Sequence, residues 1–121
     1  MANNIFGEPL ISCSTSPMTG FFRDGCCKTD EMDQGTHTVC AIMTEEFLLY
    51  TKSVGNDLST PRPEYQFPGL KPGDHWCLCA SRWTQAHSAG VAPKIVPEAT
   101  HEKTLEYIEL SELIKFAEVS S

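Results

Sequence analysis

The sequence is short of positive charge: 9 Lys and Arg residues stand against 16 Asp and Glu, for a net charge of −7 at pH 7. Such an acidic surface repels the phosphates of nucleic acids and the headgroups of anionic lipids. Long apolar stretches are also missing, since the longest runs, 39–43 and 76–80, have five residues and a membrane-spanning helix needs about 20. We therefore expect no nucleic acid and no membrane as a partner, which leaves small molecules or other proteins.

A secretory signal is not apparent either. Residues 1–12 include neither Lys nor Arg, and the apolar pair Leu10 and Ile11 is followed at once by polar residues, whereas a signal peptide has a basic start and a sustained apolar core. We therefore expect a cytoplasmic protein, whose cysteines the cell keeps as thiols. The chain has 6 cysteines in 121 residues, or about 5%, below the ~8–10% of disulfide-rich scaffolds. This cysteine content indicates that the thiols have a chemical role rather than form disulfide cross-links.

The length and composition fit one soluble domain. The chain of 121 residues leaves no room for a second core, so we assign 1–121 to a single domain with flexible ends at 1–4 and 119–121. The predicted strands and helices interleave without an internal repeat. This order indicates the α+β class: a single compact domain with a small mixed sheet, two or three short helices and long ordered loops.

The clearest predicted elements lie in the middle of the chain. Residues 36–43 are short and rich in β-branched side chains, which predicts a buried strand. Thr44, followed by two glutamates, predicts the N-terminus of a helix. Residues 75–81 alternate as a strand does, with Cys77 and Cys79 on one face. The remaining predicted elements are a helix from Ser81 to Gly90, short strands at 94–97 and 104–108, and a last helix that begins at Ser111.

A long loop is predicted over 56–74, where prolines and glycines prevent regular hydrogen-bonded structure. Loops of this length are uncommon in compact domains and often carry function. Apolar side chains within it, including Tyr65 and Phe67, are expected to attach it to the body of the domain. In an alternative interpretation the loop is a protein-interaction surface, and then Tyr65 and Phe67 are exposed.

Two closely spaced pairs of cysteines point to a metal site. Cys77 and Cys79 are two residues apart on the predicted strand, so their α carbons lie ~6.6–6.8 Å apart. This separation is near the upper limit for a disulfide, but both thiols can still bind one ion. Cys26 and Cys27 follow a glycine, where the backbone can turn to aim two thiolates. We therefore predict a tetrahedral zinc site and no other cofactor. Its expected ligands are Cys26, Cys27, Cys77 and Cys79, with Cys13, Cys40 and His37 as substitutes.

Other interpretations of the cysteines stay open, because their spacing is not the CxxC…CxxC of standard zinc sites. Several can be buried thiols in the core, and Cys40 has the most apolar neighbours. Alternatively, Cys79 is a nucleophile of a thiol-dependent enzyme or redox module. The positive end of the helix that follows, together with Arg82, favours its thiolate. The base is then one of the four histidines: His37, His75, His87 or His101.

A small-molecule pocket is a further candidate site. Tryptophan side chains can form the floor of such a pocket, and charged side chains from neighbouring loops can orient a ligand in it. The same residues can equally belong to the core and to surface ion pairs. The candidate binding residues are Arg23, Asp24, Asp57, Arg62, Trp76 and Arg82.

Three long segments together resemble a known family. They are 14–27, 36–83 and 97–110, and the stretches GNDLSTPRPE (55–64) and FPGLKPGD (67–74) are especially specific. The chain is similar to the conserved family of small bacterial and plant proteins catalogued as domain of unknown function 2237. The resemblance implies one compact domain. It carries over no catalytic residue, because the family has no assigned activity.

Overall fold

A two-stranded antiparallel sheet lies at the centre of the computed structural model, which describes residues 2–15, 18–65 and 67–117. Strand β1 (His37–Ile42) pairs with strand β2 (His75–Cys79). The inner residues of both strands are buried, because the rest of the chain covers both faces of the sheet. Both strands predicted for the middle of the chain are confirmed, and each differs from its expected bounds by two residues or fewer.

Helices pack against one face of this sheet. Helix α1 (Glu45–Ser53) begins where the Thr44 hydroxyl accepts a hydrogen bond from the backbone N–H of Phe47 at 3.1 Å, as predicted. Helix α2 (Ala80–Ser88) follows β2 directly, and α3 (Leu110–Leu113) is a single turn. The resulting core includes Val39, Ala41, Trp76 and Leu78 from the sheet, with Phe47, Leu48, Trp83 and Ala86 from the helices. The α+β class and the single small domain are confirmed.

The opposite face of the sheet carries cysteines. A second buried cluster contains Cys40 of β1 and Cys77 of β2, with Cys13 and Cys27 from the N-terminal loops and Ala99. Cys40 and Cys77 are directly opposed in the antiparallel register, and directly opposed residues project from the same face. The N-terminal loops therefore cover the cysteine face, while the helices cover the other.

A β-bulge changes which side chains share the cysteine face. His37 is opposite Cys79 and Val39 is opposite Leu78, so Thr38 is an extra residue on β1. In a regular strand, residues three apart project to opposite faces, but one extra residue reverses this parity. The bulge therefore places His37 on the same face as Cys40.

Two predicted strands are wrong. Within 94–97, only Ile95 forms β-bridges, one antiparallel to β1 and one parallel to the C-terminal segment. Proline on either side, with no N–H to donate, prevents longer pairing. The predicted strand 104–108 begins inside a 3₁₀ helix (Glu102–Glu106), where the buried hydroxyl of Thr104 donates to that of Thr38 at 2.8 Å. The structure also begins α2 and α3 one residue before Ser81 and Ser111.

The loop over 56–74 is held against the body of the domain. Within it, Arg62 and Phe67 exchange two backbone hydrogen bonds around a short 3₁₀ helix (Pro63–Tyr65). Phe67 is buried, and its ring packs edge-on against Trp76 with centroids 5.2 Å apart. The exposure of Phe67 that a protein-interaction surface requires is therefore wrong, and the Tyr65 side chain lies outside the described structure.

The structure describes the chain from residue 2 but not its last four residues. Asn4 is buried, and its side chain donates to the carbonyl of Glu98 at 3.2 Å and accepts from the backbone of Phe6 at 2.9 Å. Residues 118–121, which include the expected flexible end, lie outside the described structure. Among the helices of the described ranges, none has the length and apolar character needed to cross a bilayer.

Candidate functional site

Four of the six cysteines form two disulfides, although the sequence analysis expects thiols. One bond joins Cys13 to Cys40, with α carbons 5.6 Å apart, and the other joins Cys27 to Cys77, with α carbons 5.2 Å apart. Both separations lie inside the usual range for disulfides. Each bond therefore connects an N-terminal loop to one strand, and the two opposed strand cysteines are not bonded to each other.

Three of these four cysteines form a cluster that can hold a metal. The sulfurs of Cys13, Cys27 and Cys77 lie within 4.8 Å of one another, and Cys40 is bonded to Cys13. We call these four residues the cysteine cluster. Only Cys27 and Cys77 belong to the predicted ligand set, and Cys13 and Cys40 were its substitutes. The residues Cys26 and Cys79 lie outside the cluster, as free and partly exposed thiols.

A glycine explains why neighbouring cysteines separate. Gly25 has a φ of 86°, a left-handed conformation that glycine adopts without steric cost. After this turn, Cys27 is fully buried in the cluster, whereas Cys26 is partly exposed and its N–H donates to the Asp24 carboxylate at 3.0 Å. The turn at Gly25 agrees with the sequence pattern, but the two thiols lie in different environments.

The bulge brings a histidine and a carboxylate to the free thiol of Cys79. Nδ1 of His37 lies 2.6 Å from Oδ1 of Asp33, and His37 is directly opposite Cys79 in the strand register. The other oxygen of Asp33 accepts from the His37 backbone at 2.9 Å and from the Thr29 hydroxyl at 3.0 Å. The Asp33 side chain is 0% exposed and that of His37 is 35% exposed. These contacts hold the imidazole between a buried carboxylate and a partly exposed sulfur.

The electrostatics of this arrangement favour the charged imidazole. The hydrogen bond with Cys79 raises the pKa of His37 to about 9, against the opposing effect of burial, and attraction to Cys79 and Asp33 adds to the rise. Burial alone raises the pKa of Asp33, but hydrogen bonds from His37 and Thr29 outweigh it and hold that pKa below its ordinary value. At neutral pH His37 is therefore an imidazolium between two acidic partners.

Cys79 also occupies the N-cap of α2, where its side chain accepts no capping hydrogen bond. The N–H of Ala80 donates to the carbonyl of Thr36 at 2.9 Å, whereas first-turn N–H groups such as those of Ser81 and Arg82 have no partner within a helix. The positive end of the helix dipole lies here and favours negative charge. The predicted position of Cys79 in front of this helix is therefore confirmed.

Two adjoining cavities lie beside this arrangement. The first, about 240 Å³, is lined by residues that include Phe21, His37 and Trp76. The second, about 220 Å³, shares Arg23, Leu58 and Trp76 with the first. Four of the six predicted binding residues line the second cavity: Arg23, Asp57, Arg62 and Trp76.

The other two predicted binding residues make their own contacts. Asp24 forms an ion pair with Lys28 at 3.2 Å. Arg82 donates to the carbonyl of Val54 at 3.4 Å and to the Gln85 side chain at 3.2 Å. Neither lines the two cavities around Trp76.

Asp33 and Gly35 are the residues that sequence reasoning missed. The spacing D-x-x-x-H in a glycine-containing loop is the only signal for Asp33, and many unrelated loops contain it. At Gly35, an added Cβ would come within 2.7 Å of Cε1 of His37 and 3.1 Å of the Cys79 sulfur. Only glycine therefore allows the backbone to pack so closely on this pair.

Comparison with known proteins gives a family but no characterised relative. No curated protein matches this chain at a significant level. The family model described as an uncharacterised protein conserved in bacteria, domain of unknown function 2237, matches residues 3–117. The chain therefore belongs to this family.

Proposed function

We propose that the cysteine cluster is a structural zinc site in the reduced protein, with Cys13, Cys27, Cys40 and Cys77 as its four thiolate ligands. The observation that carries this proposal is the convergence of sulfurs from three separate segments within 4.8 Å of one another. The fourth sulfur, that of Cys40, is bonded to the Cys13 sulfur but lies outside this group of three. Four thiolates are a ligand set that zinc accepts in structural sites.

The distances within the cluster fit this coordination. Zinc–sulfur bonds of ~2.3 Å in a tetrahedron hold the sulfurs about 3.8 Å apart, which lies inside the 4.8 Å limit of the three clustered sulfurs. The strands fix two of the ligands, since Cys40 and Cys77 are opposed in register. In the reduced protein, the side chains of Cys40 and of the loop cysteines would need to move for all four sulfurs to reach this spacing.

Burial makes the proposed site structural rather than catalytic. The exposed fractions of Cys13, Cys27, Cys40 and Cys77 are 8%, 0%, 0% and 1%. A catalytic zinc keeps an open position for water or substrate, whereas a closed site with four protein ligands stabilises the fold. The ion would tie the N-terminal loops to the sheet, as the two disulfides do.

Hydroxyl groups support the backbone of both strand ligands. The N–H of Cys77 donates to the Thr19 hydroxyl at 2.8 Å, and that of Cys40 donates to the Thr100 hydroxyl at 3.2 Å. All of these groups are buried, so they fix the strand positions independently of the state of the sulfurs. The proposal requires a reducing compartment and therefore includes a cytoplasmic location.

Metal content under reducing conditions tests this proposal. Tag-free protein prepared with a reductant is expected to contain about one zinc per chain by mass spectrometry, and a chelator should then release the zinc and expose four thiols. Cys27→Ser and Cys77→Ser should each lose the zinc, whereas the matched controls Cys26→Ser and Cys79→Ser should keep it. Reduced protein that contains no metal and does not bind added zinc would contradict the proposal.

Small-molecule binding is the second candidate function, and the clustering of predicted residues around Trp76 favours it. The guanidinium of Arg23 lies 5.3 Å from the centroid of the Trp76 ring, and Asp57 and Arg62 line the same cavity. An aromatic floor with charges of both signs suits a small polar ligand. A ligand screen that follows tryptophan fluorescence, to which Trp83 also contributes, tests this candidate, and Arg23→Ala should abolish each true hit.

A further inference from the structure

We propose that Cys79, His37 and Asp33 form a thiol-dependent acyl-transfer site, separate from the cysteine cluster, that hydrolyses small esters or thioesters. Cys79 is the nucleophile, His37 the general acid and base, and Asp33 a positioning residue. The juxtaposition of these three side chains carries the proposal.

The sheet itself brings nucleophile and base together. His37 and Cys79 are directly opposed on the antiparallel strands, and such pairs have β carbons ~4.5–5.5 Å apart on one face. A Cβ added at Gly35 would lie 2.7 Å from Cε1 of His37 and 3.1 Å from the Cys79 sulfur, so the ring and the sulfur adjoin the same point. Since Nδ1 of His37 is engaged by Asp33 at 2.6 Å, Nε2 is the ring nitrogen that serves the sulfur. The order of nucleophile, base and orienting carboxylate is that of activated-nucleophile sites in general.

The contacts of Asp33 fix the orientation of the base. One carboxylate oxygen binds the ring of His37, while the other accepts from the His37 backbone and the Thr29 hydroxyl. The carboxylate is therefore held in one orientation by groups on both sides of it, and its side chain is fully excluded from solvent. A surface ion pair has no such constraint, because its side chains stay mobile and solvated.

Helix α2 supplies a place for the negative charge that develops in acyl transfer. The first-turn N–H groups of Ser81 and Arg82 adjoin Cys79. The Cys79 side chain makes no capping hydrogen bond to them. Backbone N–H groups aimed at the developing oxyanion stabilise it strongly in acyl-transfer sites. The helix has nine residues, so its first turn carries the partial positive charge of a helix dipole.

The neighbouring cavity indicates the size of the substrate. The cavity meets this site through His37, since Cys79 is not among its lining residues. Its volume of about 240 Å³ is below the ~300–1,000 Å³ of drug-sized pockets. With its lining by Phe21, Leu58 and Trp76, it suits a small apolar acyl group. Phe21 stacks on the His37 ring with centroids 6.3 Å apart. Arg23 is the charged side chain that faces this cavity besides His37.

The reaction balances with water as the co-reactant. The Cys79 sulfur, whose proton has passed to His37, attacks the acyl carbon, and the carbonyl electron pair moves to oxygen. When that pair returns, the bond to the leaving group breaks, and the leaving group takes the proton from His37. Water then attacks the thioester and gives a proton to His37, and expulsion of the sulfur releases the carboxylic acid.

The test uses the oxidised protein, in which Cys79 and Cys26 are the free thiols of the described chain. With p-nitrophenyl acetate we expect a burst of about one p-nitrophenolate per chain, continued turnover, and an acetyl group that peptide mass spectrometry finds on Cys79. Cys79→Ser should abolish the burst. Cys26→Ser is the matched control and should leave it unchanged.

The roles of the other two residues have their own readouts. His37→Gln should lower the acylation rate by about 100-fold, within the ~10²–10⁴ range of general acid–base catalysis. Asp33→Asn should lower it about tenfold and shift the pH profile of acylation, which a merely structural role would not do. Circular dichroism and urea unfolding of each variant identify those that fail to fold.

Wild-type protein keeps the proposal testable if a variant does not fold. Cys79 should then be acetylated at least tenfold faster than Cys26 in the same molecule and than N-acetylcysteine in solution. Equal acetylation of the two cysteines, a rate that His37→Gln leaves unchanged in a folded variant, or a stable acetyl-Cys79 with no turnover would overturn the proposal.

Discussion

The two ends of one sheet face show how surroundings decide the chemistry of cysteine. At one end, Cys40 and Cys77 are opposed and buried, and each is bonded to a loop cysteine. At the other end, Cys79 is opposite His37 and remains a free, partly exposed thiol. Cys77 and Cys79 are only two residues apart on β2. The difference therefore comes from what packs on them, sulfur at one end and an imidazole at the other.

This comparison shows that spacing along a strand is a poor guide to joint function. Alternation correctly places Cys77 and Cys79 on one face, and a shared site would follow if one loop covered both. Instead Cys27 is bonded to the first, and the bulge at Thr38 places His37 opposite the second. One strand thus contributes to two sites.

The largest expected effect is on stability, at the buried end. Loop-closure entropy gives about 4 kcal/mol for the 50-residue separation of Cys27 and Cys77 and about 3.5 kcal/mol for the 27-residue separation of Cys13 and Cys40. The double variant Cys27→Ala, Cys77→Ala removes the first of these bonds. It should lower the free energy of unfolding of oxidised, metal-free protein by about 4 kcal/mol. Urea unfolding measures it. Losses below about 1 kcal/mol would mean that the loops are held by other contacts.

A smaller effect is expected where the backbone packs on the free-thiol end. Gly35→Ala places a Cβ 2.7 Å from the His37 ring, so the ring must move, at a cost of about 1–2 kcal/mol in unfolding free energy. Alkylation of Cys79 by iodoacetamide should slow about tenfold, because the displaced imidazole no longer contacts the sulfur. The exposed neighbour Gln34 provides the control, and Gln34→Ala should change neither quantity. An unchanged labelling rate in Gly35→Ala would contradict the contact.

The histidines sharpen the comparison through pH. His37 should titrate near pH 9 by NMR, since its partners raise its pKa, whereas burial lowers the pKa of His101 below 6.5. Because the His37 pKa is raised, the stability gained from its protonated form is complete below pH 6.5 and lost as the pH rises through about 9. Cys79→Ser should bring the His37 titration down towards 6.5. A His37 midpoint that stays near 9 in this variant would assign the shift to Asp33 alone.

The smallest effect is expected at Cys26. This thiol is partly exposed and its side chain belongs to neither end of the cysteine face. Cys26→Ser should therefore change the unfolding free energy by no more than about 0.5 kcal/mol, and it should leave the alkylation rate of Cys79 unchanged. Urea unfolding and peptide mass spectrometry measure both quantities, and a larger change would place Cys26 in one of the two sites.

Local patterns in the sequence predicted local structure well. The hydroxyl of Thr44 and the glutamates after it indicated α1, and alternation indicated β2, because both signals act between residues close in sequence. The predicted zinc ligands Cys26 and Cys79 lie outside the cluster for the opposite reason. Their neighbours depend on the turn at Gly25 and on pairing between strands some forty residues apart, which no local pattern encodes.

The pair of His37 and Cys79 shows the same limit. Both residues stood among the candidates, but the register between β1 and β2 and the extra residue at Thr38 decide that they meet. A bulge has no sequence signature in this strand, since Thr38 suits a regular strand as well. Asp33 was missed because its role depends on His37 already being placed.

The most direct test of the two-site account is residue-resolved alkylation of the reduced, zinc-loaded protein at pH 7, followed by peptide mass spectrometry. The account predicts fast labelling of Cys79, slower labelling of Cys26, and protection of Cys13, Cys27, Cys40 and Cys77 until a chelator removes the metal. Similar labelling of all six cysteines, with no effect of the chelator, would contradict it.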